Sequence, residues 1–365
     1  MIVEGAIFDL DGSRPAYVRL RGGRVVETGT LGTDGTRGRE RRVRGIVVPA
    51  PVNSHTHLGD AVSVREPPAG PVSRLVQPPS GYKFRLLADA SDAMKRRAIR
   101  TALLRMARDG VAAVVDFREE GRAGAELFRA AARGVPLRTV VLGRPIRRPV
   151  DPAELERVLA VADGIGLSSA RDEALGDRRR VAAACRRAGK PYALHASEAV
   201  REDPATFLDP RPDLVVHLAK ATRDDLVQVR DAGVSVVVCP RSNALFGRQP
   251  DLAAMERLGL SVLLGTDNAM FHAPSIWREL EFAYVGTRLR RRPASAGFLA
   301  RAALVEPWRW LGLPEAARVA PGGPGPPLVL RVPPDDPAYQ LVTRVTEHLI
   351  VRLPPPSRGR PGRDG

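Results

Sequence analysis

VVPAPVNSH, residues 47–55, is an apolar stretch that ends in a histidine, and it is the first of eight apolar runs spread along the chain. The runs are short enough for strands, and loops or helical segments separate them. Strands that are apolar on both faces and alternate with helices are typical of a parallel sheet, and eight such units are enough to close a (β/α)8, or TIM, barrel. The sequence therefore predicts an α/β fold of this kind. The other seven runs lie at residues 111–117, 137–143, 164–169, 191–195, 213–219, 234–239 and 260–267.

The segments on either side of these runs predict a small β domain. Residues 1–45 contain an alternating apolar and polar run broken by two adjacent glycines, which is typical of a β-hairpin, and residues 320–353 return to short strand-like runs. We therefore predict a small β domain from these two segments and a barrel from residues 46–319. Residues 354–365 have no large apolar side chain, which predicts a disordered tail. An open, doubly wound sheet is the alternative to the barrel, but no Gly-x-Gly-x-x-Gly follows the first strand.

The composition indicates a large globular chain with an excess of arginine. The chain has 365 residues, 44% of them hydrophobic, and its 57 Lys and Arg outnumber its 41 Asp and Glu to give a formal charge of +16. Only four of these cations are lysines, and the arginines are spread along the chain rather than grouped with aromatic residues. Nucleic-acid-binding proteins concentrate their charge on one face. We therefore interpret the charge as a solvated surface and predict no specific nucleic-acid partner.

The sequence also predicts a compartment. No apolar run reaches 18 residues, which argues against a membrane-spanning helix, and the N-terminal residues lack the pattern of a secretory signal. The two cysteines, Cys185 and Cys239, are too few for a disulfide scaffold. We therefore expect a cytoplasmic protein with no membrane partner. The sequence leaves open whether the chain forms a homo-oligomer.

Four histidines and one aspartate lie where predicted barrel strands end. His55 and His57 are two residues apart on one strand, so their side chains project from the same face. His195, His217 and Asp267 lie at the ends of three further strands. Because the carboxyl ends of barrel strands share one mouth, we expect these residues to converge. Neutral imidazoles and a carboxylate suit Zn²⁺ or Fe²⁺, and such a metal lowers the pKa of a water ligand to ~7.

Glu198 follows His195 by three residues, in the segment HASE. This spacing places it just beyond a strand end, at the rim of the predicted site. A carboxylate there can take a proton from an activated water and pass it to a leaving group. The alternative is that Glu198 caps a helix or pairs with an arginine. Its position beside the histidines favours the catalytic interpretation.

Five segments of the chain match one known family in content and order. They are VNSHTH (52–57), LHASE (194–198), VVHLAKAT (215–222), VVVCPRSNALFG (236–247) and LLGTDNAM (263–270). With them, roughly residues 1–350 resemble the amidohydrolase superfamily, and most closely its deaminase and chlorohydrolase branch. That branch includes cytosine, guanine and S-adenosylhomocysteine deaminases. CPRSN followed by GTDNA is typical of the branch rather than of barrels in general.

The resemblance implies one divalent metal ion per chain, with Zn²⁺ expected and Fe²⁺ as the alternative. Its ligands would be His55, His57, His195 and Asp267. Glu198 would match the proton shuttle of the branch, and His217 would match the histidine that hydrogen-bonds the activated water and the substrate. Binuclear members carry a carboxylated lysine on the fourth strand, whereas here no lysine occurs between Lys95 and Lys190. The resemblance therefore favours a single metal.

Other residues near strand ends are candidate substrate contacts. Arg118 and Glu119 follow the second predicted strand, and Arg241 and Asn243 follow the seventh. Lys83 lies in the segment after the first strand, which is long for a loop between a strand and a helix. Loops of this length often form lids over an active site. The planar guanidinium of an arginine can hold a carboxylate or a phosphate. The alternative for each of these charged residues is a solvated or salt-bridged side chain.

The leading hypothesis for function is a metal-dependent hydrolase that deaminates an amino-substituted heterocycle. The first alternative is a cyclic amidase or a chlorohydrolase at the same metal site. The second, from another class, is an inactive barrel that serves as a basic nucleic-acid-binding protein. Against it, each position that the family uses for metal binding or proton transfer has a residue of the required type. The substrate stays open, because Asp60 stands where many deaminases have an apolar residue.

Overall fold

The computed structural model describes residues 1–33, 40–63 and 65–351 of the chain. Its strands are β1 (Ile2–Asp9), β2 (Gly12–Arg21), β3 (Arg24–Gly29), β4 (Arg42–Pro49), β5 (Val52–His57), β6 (Ala113–Arg118), β7 (Arg138–Gly143), β8 (Gly164–Ser169), β9 (Tyr192–Ala196), β10 (Leu214–His217), β11 (Ser235–Val238), β12 (Val262–Leu264), β13 (Asp267–Asn268), β14 (Pro327–Leu330) and β15 (Ile350–Val351). Its α-helices are α1 (Val72–Leu75), α2 (Tyr82–Asp89), α3 (Asp92–Arg108), α4 (Gly121–Ala132), α5 (Pro152–Leu159), α6 (Leu175–Ala188), α7 (Pro204–Phe207), α8 (Arg223–Asp231), α9 (Pro240–Leu245), α10 (Leu252–Leu258), α11 (Ile276–Leu289), α12 (Ala296–Leu304), α13 (Glu306–Trp310) and α14 (Pro337–Thr343). None of the helices in these ranges is both long enough and apolar enough to cross a membrane.

Strands β5 to β12 pair in chain order, every pair parallel, and form a curled sheet. The sheet closes because β13 pairs in parallel with β5. β12 and β13 are two parts of one eighth strand, and between them the Thr266 amide donates to the His55 carbonyl at 3.0 Å. A Cβ at Gly265 would lie 2.7 Å from Cβ of His55, so only glycine allows this close approach. The result is a TIM-like barrel, as the sequence predicts.

The stretch VVPAPVNSH does not form one strand. Its first part belongs to β4, which ends at Pro49, and its second part belongs to β5, which begins at Val52. Neither Pro49 nor Pro51 has an amide hydrogen, so a hydrogen-bonded ladder cannot run through both. The expectation of a single strand is wrong here, although the number of barrel strands is unchanged.

The other strands form a six-stranded sheet in the order β15-β14-β4-β1-β2-β3. β1 pairs with β4 in parallel and with β2 antiparallel, and β2 turns into β3 at Gly22 and Gly23. Both glycines have positive φ, a conformation that glycine adopts without strain, and they make the hairpin that the sequence predicts. The core of this sheet includes Val3, Ile7, Val18, Val47 and Val329.

The chain divides into two compact units. One contains Met1–Ala50 with the described part of Trp308–Gly365, and the other is Pro51–Pro307. The limits expected from the sequence lie at 45/46 and 319/320, and the first of these falls within β4. The domain assignment stays a prediction. The expected disordered tail, residues 354–365, lies outside the described residues.

Candidate metal centre

The side chains expected to bind a metal meet at the carboxyl ends of the barrel strands. β5 carries His55 and His57, β9 carries His195, β10 ends at His217 and β13 begins at Asp267, and all five are buried. Nε2 of His55 lies 3.3 Å from Nε2 of His195 and 3.2 Å from Oδ1 of Asp267. Nε2 of His57 lies 3.7 Å from the same aspartate oxygen. Two overlapping sets have their ligand atoms within 4.8 Å of one another: His55, His195 and His217, and His55, His57 and Asp267.

The chemistry of this cluster fits a divalent cation. Burial lowers the pKa of His55, lowers that of His57 to about 3 and lowers that of His195 well below its usual range, so these imidazoles are neutral. Nδ1 of His195 lies 2.9 Å from the Leu167 carbonyl, so it carries the hydrogen, and the lone pair of Nε2 faces the cluster. Neutral imidazole nitrogens and a carboxylate oxygen that converge in this way are ligands that Zn²⁺ and Fe²⁺ accept.

The segment CPRSN holds two of these side chains in place. The Ser242 hydroxyl donates to Oδ2 of Asp267, and Nδ2 of Asn243 donates to Nδ1 of His217 at 3.2 Å. The hydrogen of the His217 imidazole is therefore on Nε2, the atom that faces Glu198. Asp267 and His217 also have positive φ, 59° and 82°, a strained backbone conformation that is concentrated at functional sites.

Glu198 lies just beyond the end of β9 and lines the same cavity as the cluster. Its Oε2 lies 3.8 Å from Nε2 of His217, and in the described residues it neither caps a helix nor pairs with an arginine. Burial raises the pKa of Glu198 above the usual value for a glutamate. A raised pKa suits a carboxylate that accepts and returns a proton near neutral pH.

A buried network of charges contacts His57 at its Nδ1 atom. Oε1 of Glu119 lies 2.9 Å from Nδ1 of His57 and 2.6 Å from Nζ of Lys83, and Oε2 of Glu119 lies 2.5 Å from Arg118. Nζ of Lys83 also lies 3.0 Å from the buried carboxylate of Asp60. Although burial opposes ionisation, the charges of Lys83 and Arg118 hold the pKa of Glu119 well below its usual range. Glu119 is therefore a carboxylate that can fix the orientation of His57.

The cavity beside the cluster has a volume of about 280 Å³, and of the five expected substrate contacts it is lined by Lys83. Arg118 and Glu119 lie in the buried charge network, and Asn243 contacts His217. The backbone amide of Arg241 donates to Glu279, and its guanidinium donates to the Ala273 carbonyl. These four residues are held by protein partners and do not line the cavity, so the structure gives no support to their expected role as substrate contacts.

Comparison with known proteins identifies the family. The sequence model of the amidohydrolase family matches residues 46–322. The chain belongs to the amidohydrolase family. It is 36% identical over 265 residues to a protein of Methanothermobacter thermautotrophicus named "Putative aminohydrolase", covering 67% of this chain and 68% of that one. It is 26% identical over 364 residues to an isoxanthopterin deaminase from an unknown prokaryotic organism, covering 80% of this chain and 74% of that one.

The fold of this amidohydrolase is also similar to solved structures. A zinc-bound adenosine deaminase from Xanthomonas campestris superposes with a TM-score of 0.76 at 18% identity, covering 96% of this chain and 90% of that one. At this identity the likeness concerns the fold. It agrees with the closed barrel described above.

Sequence reasoning missed several residues of this amidohydrolase that line the cavity. Arg144 directly follows β7, and Arg171 follows β8 by two residues. The rule that strand ends share one mouth applies to these two strands as it does to the others, so it could have found both arginines. Phe246 and Phe271 also line the cavity, and no signal in the sequence separates them from core aromatics.

Replacing Glu119 with glutamine is expected to weaken metal binding by ~10–100-fold, the usual effect of losing a group that orients a metal-binding histidine. The substitution keeps the shape of the side chain but removes the negative charge beside His57. Competition for Zn²⁺ with a chromogenic chelator measures the change without any need for a substrate. Glu154→Gln is the matched control, because Glu154 is a buried carboxylate that accepts from the backbone amides of Ile146 and Arg147. Unchanged Zn²⁺ affinity in a folded Glu119→Gln protein would contradict the orienting role.

Proposed function

We propose that this amidohydrolase is a metal-dependent deaminase that replaces the amino group of a heterocycle with oxygen. The observation that carries the proposal is the meeting of Glu198 and His217, 3.8 Å apart, beside a cluster of neutral histidines and a carboxylate in one cavity. The names of the aminohydrolase and deaminase relatives support the same reaction class.

The proposed metal site holds one divalent cation, with Zn²⁺ as the expected ion and Fe²⁺ as the alternative. The proposed ligands are His55, His57, His195 and Asp267. A cation bound by them would polarise a water molecule and lower its pKa to ~7. A single cation is expected because β8, the fourth barrel strand, has the sequence GIGLSS and offers no lysine for a second one.

The protein's own residues would move the protons. Glu198 would accept a proton from the attacking water as the new carbon–oxygen bond forms, and would deliver it to a ring nitrogen. A second proton transferred through Glu198 would reach the amino group, which leaves as ammonia when the carbon–nitrogen bond breaks. The N–H group at Nε2 of His217 would donate a hydrogen bond to the oxygen of the attacking water and stabilise the negative charge on that oxygen. The net reaction consumes one water and releases one ammonia.

A screen for released products tests the proposal. Purified protein, loaded with Zn²⁺, would be offered aminopurines, aminopyrimidines, aminotriazines and aminopterins, with ammonia as the readout. Ammonia release that requires the metal supports a deaminase. Chloride release from chlorinated analogues, or ring opening of cyclic amides without ammonia, would point instead to a chlorohydrolase or a cyclic amidase at the same site.

We expect this protein to bind nucleic acid weakly and without sequence preference, because many of its arginines are paired with carboxylates. Examples are Arg122 with Glu126 and Arg179 with Asp209, at 2.7 Å and 2.6 Å. Phosphate contacts depend steeply on salt, so the binding should be largely lost near ~0.2 M salt. A fluorescence titration with labelled DNA and RNA at several salt concentrations measures it. Tight, base-specific binding that survives this salt would instead favour a nucleic-acid-binding function.

A cytoplasmic location stays a prediction, and the oligomeric state stays open. Cys185 and Cys239 are both buried and unpaired.

A further inference from the structure

Two arginines line the cavity with no carboxylate within ion-pair distance of their guanidinium groups in the described structure, the half-buried Arg144 and the exposed Arg171. Within the described ranges, no carboxylate oxygen lies within 4.0 Å of the guanidinium of Arg144 or of Arg171. Arg144 is half-buried, and its Nε donates to the Gly166 carbonyl at 3.4 Å. Its two terminal nitrogens have no protein acceptor among the residues that the structure describes, and they are available to a molecule in the cavity.

The two buried arginines of the described barrel, Arg118 and Arg178, both have protein partners. Arg118 is buried between Asp116 and Glu119. Arg178 donates to the backbone carbonyls of Glu173, Thr206 and Asp209. Withdrawing a guanidinium from water is costly unless an anion or acceptors replace its hydration. The half-buried Arg144, which lacks such an anion, therefore marks a place where a bound molecule can supply one.

The carboxylates of the same cavity have other partners. Asp172 accepts from Nε2 of Gln77 at 3.1 Å and from the Ser169 amide at 3.4 Å. Glu202 accepts from the Ser197 amide at 2.9 Å, and Glu198 faces His217. None of these carboxylates lies within ion-pair distance of Arg144 or Arg171 in the described structure.

The rest of the cavity wall suits a flat ring. Phe246 and Phe271 lie edge to face with their ring centres 5.5 Å apart, and both line the cavity together with Val72 and Val76. Aromatic and aliphatic side chains of this kind pack well against a heterocycle. The cavity therefore combines an apolar wall, a metal-binding cluster, the half-buried Arg144 with no carboxylate beside it in the described structure, and the exposed Arg171, whose charge also acts on Glu202.

We infer that the substrate is an amino-substituted heterocycle that carries a carboxylate or phosphate group, and that Arg144 binds this group with Arg171 as a second cation. The inference rests on the proposed deaminase function. A guanidinium binds either anion through two parallel hydrogen bonds, and the free nitrogens of Arg144 supply such a pair. We therefore assign the anion contact to Arg144 and Arg171, which follow β7 and β8, instead of to Arg118 and Arg241.

Matched pairs of probes test the inference on the Zn²⁺-loaded enzyme. The pairs are adenosine with adenosine 5′-monophosphate, pterin with pterin-6-carboxylate, and cytosine with 5-carboxycytosine. In a pair that the enzyme deaminates, the anionic member is expected to have a kcat/KM ~10–100-fold higher, the range for hydrogen bonds to a charged group. Comparison of the phosphate pair with the carboxylate pairs shows which anion is bound.

Single substitutions test whether Arg144 causes the preference for the anionic member of a pair. Arg144→Gln is expected to remove the preference for the anionic member, measured as the ratio of kcat/KM values within a pair, because the hydrogen bonds to the anion are lost. Arg122→Gln, which removes one positive charge from the exposed surface of α4, is the matched control and is expected to keep the preference. A preference that persists in Arg144→Gln would overturn the inference.

Binding measurements separate this inference from the proposed function. If no probe releases ammonia, the deaminase proposal fails, and calorimetry on the Glu198→Gln protein with and without Arg144→Gln then decides the inference. Tighter binding of the anionic members that Arg144→Gln abolishes would support an anion site. Equal binding of both members, or no binding of any pair, would overturn it.

Discussion

Glu198→Gln protein is expected to retain its metal and to lose activity by a factor of ~10²–10⁴ in kcat, the range for loss of a general acid–base group. Glutamine keeps the shape of the side chain and most of its hydrogen-bonding capacity, but it cannot carry the proton. KM should change little, because the lost interaction matters mainly in the transition state. Metal analysis and steady-state ammonia release, with the best substrate from the screen, measure the two effects separately.

Glu154→Gln serves again as the control for a buried carboxylate that has no role at the site, and its kcat is expected to stay near wild type. Two outcomes would show that the role given to Glu198 is wrong. One is an active Glu198→Gln enzyme. The other is a Glu198→Gln protein that has shed its metal, which would make Glu198 a ligand rather than a proton carrier.

His195→Ala is expected to lose metal and activity together. Wild-type protein should contain about one metal per chain. A catalytic site with three or four protein ligands is expected to lose its metal when one ligand is removed. The same loss is expected for His55→Ala and Asp267→Ala, because Nε2 of His55 lies 3.2 Å from Oδ1 of Asp267 and both face the same point. Elemental analysis after gel filtration, with circular dichroism to verify folding, measures the change.

His348→Ala is the matched control for loss of a histidine, because the His348 side chain is 88% exposed, and its metal content should equal that of wild type. Two tightly held metals per wild-type chain would refute the mononuclear site. A folded His195→Ala protein that keeps a full equivalent of metal would remove His195 from the ligand set.

The sequence alone was enough to predict the barrel and the convergence of its histidines. Eight apolar runs that alternate with helices have few other ways to bury both faces of their strands. Once the barrel is accepted, the end of each strand has a known position, because parallel strands bring their carboxyl ends to one mouth. His55, His57, His195, His217 and Asp267 could be placed together for this reason, without knowledge of any side-chain contact.

The roles of individual polar side chains depended on the tertiary structure. Arg118 and Arg144 both stand at the ends of neighbouring strands, yet Arg118 is buried between two carboxylates whereas Arg144 faces the cavity. The local sequence carries part of this difference, because Asp116 and Glu119 flank Arg118 in DFREE, whereas Arg144 begins the segment RPIRR, which has no carboxylate. Only the folded structure shows that both carboxylates turn toward the Arg118 guanidinium and that Arg144 turns toward the cavity.

The partners of the metal-binding residues were also decided by tertiary packing. Asn243 was expected to contact the substrate and instead contacts His217, and its neighbour Ser242 contacts Asp267. Position along a strand determines which end of the barrel a side chain reaches, and this can be read from the order of residues. Whether that side chain then faces the cavity or another side chain depends on groups brought close from distant parts of the chain, and only the folded structure brings them together.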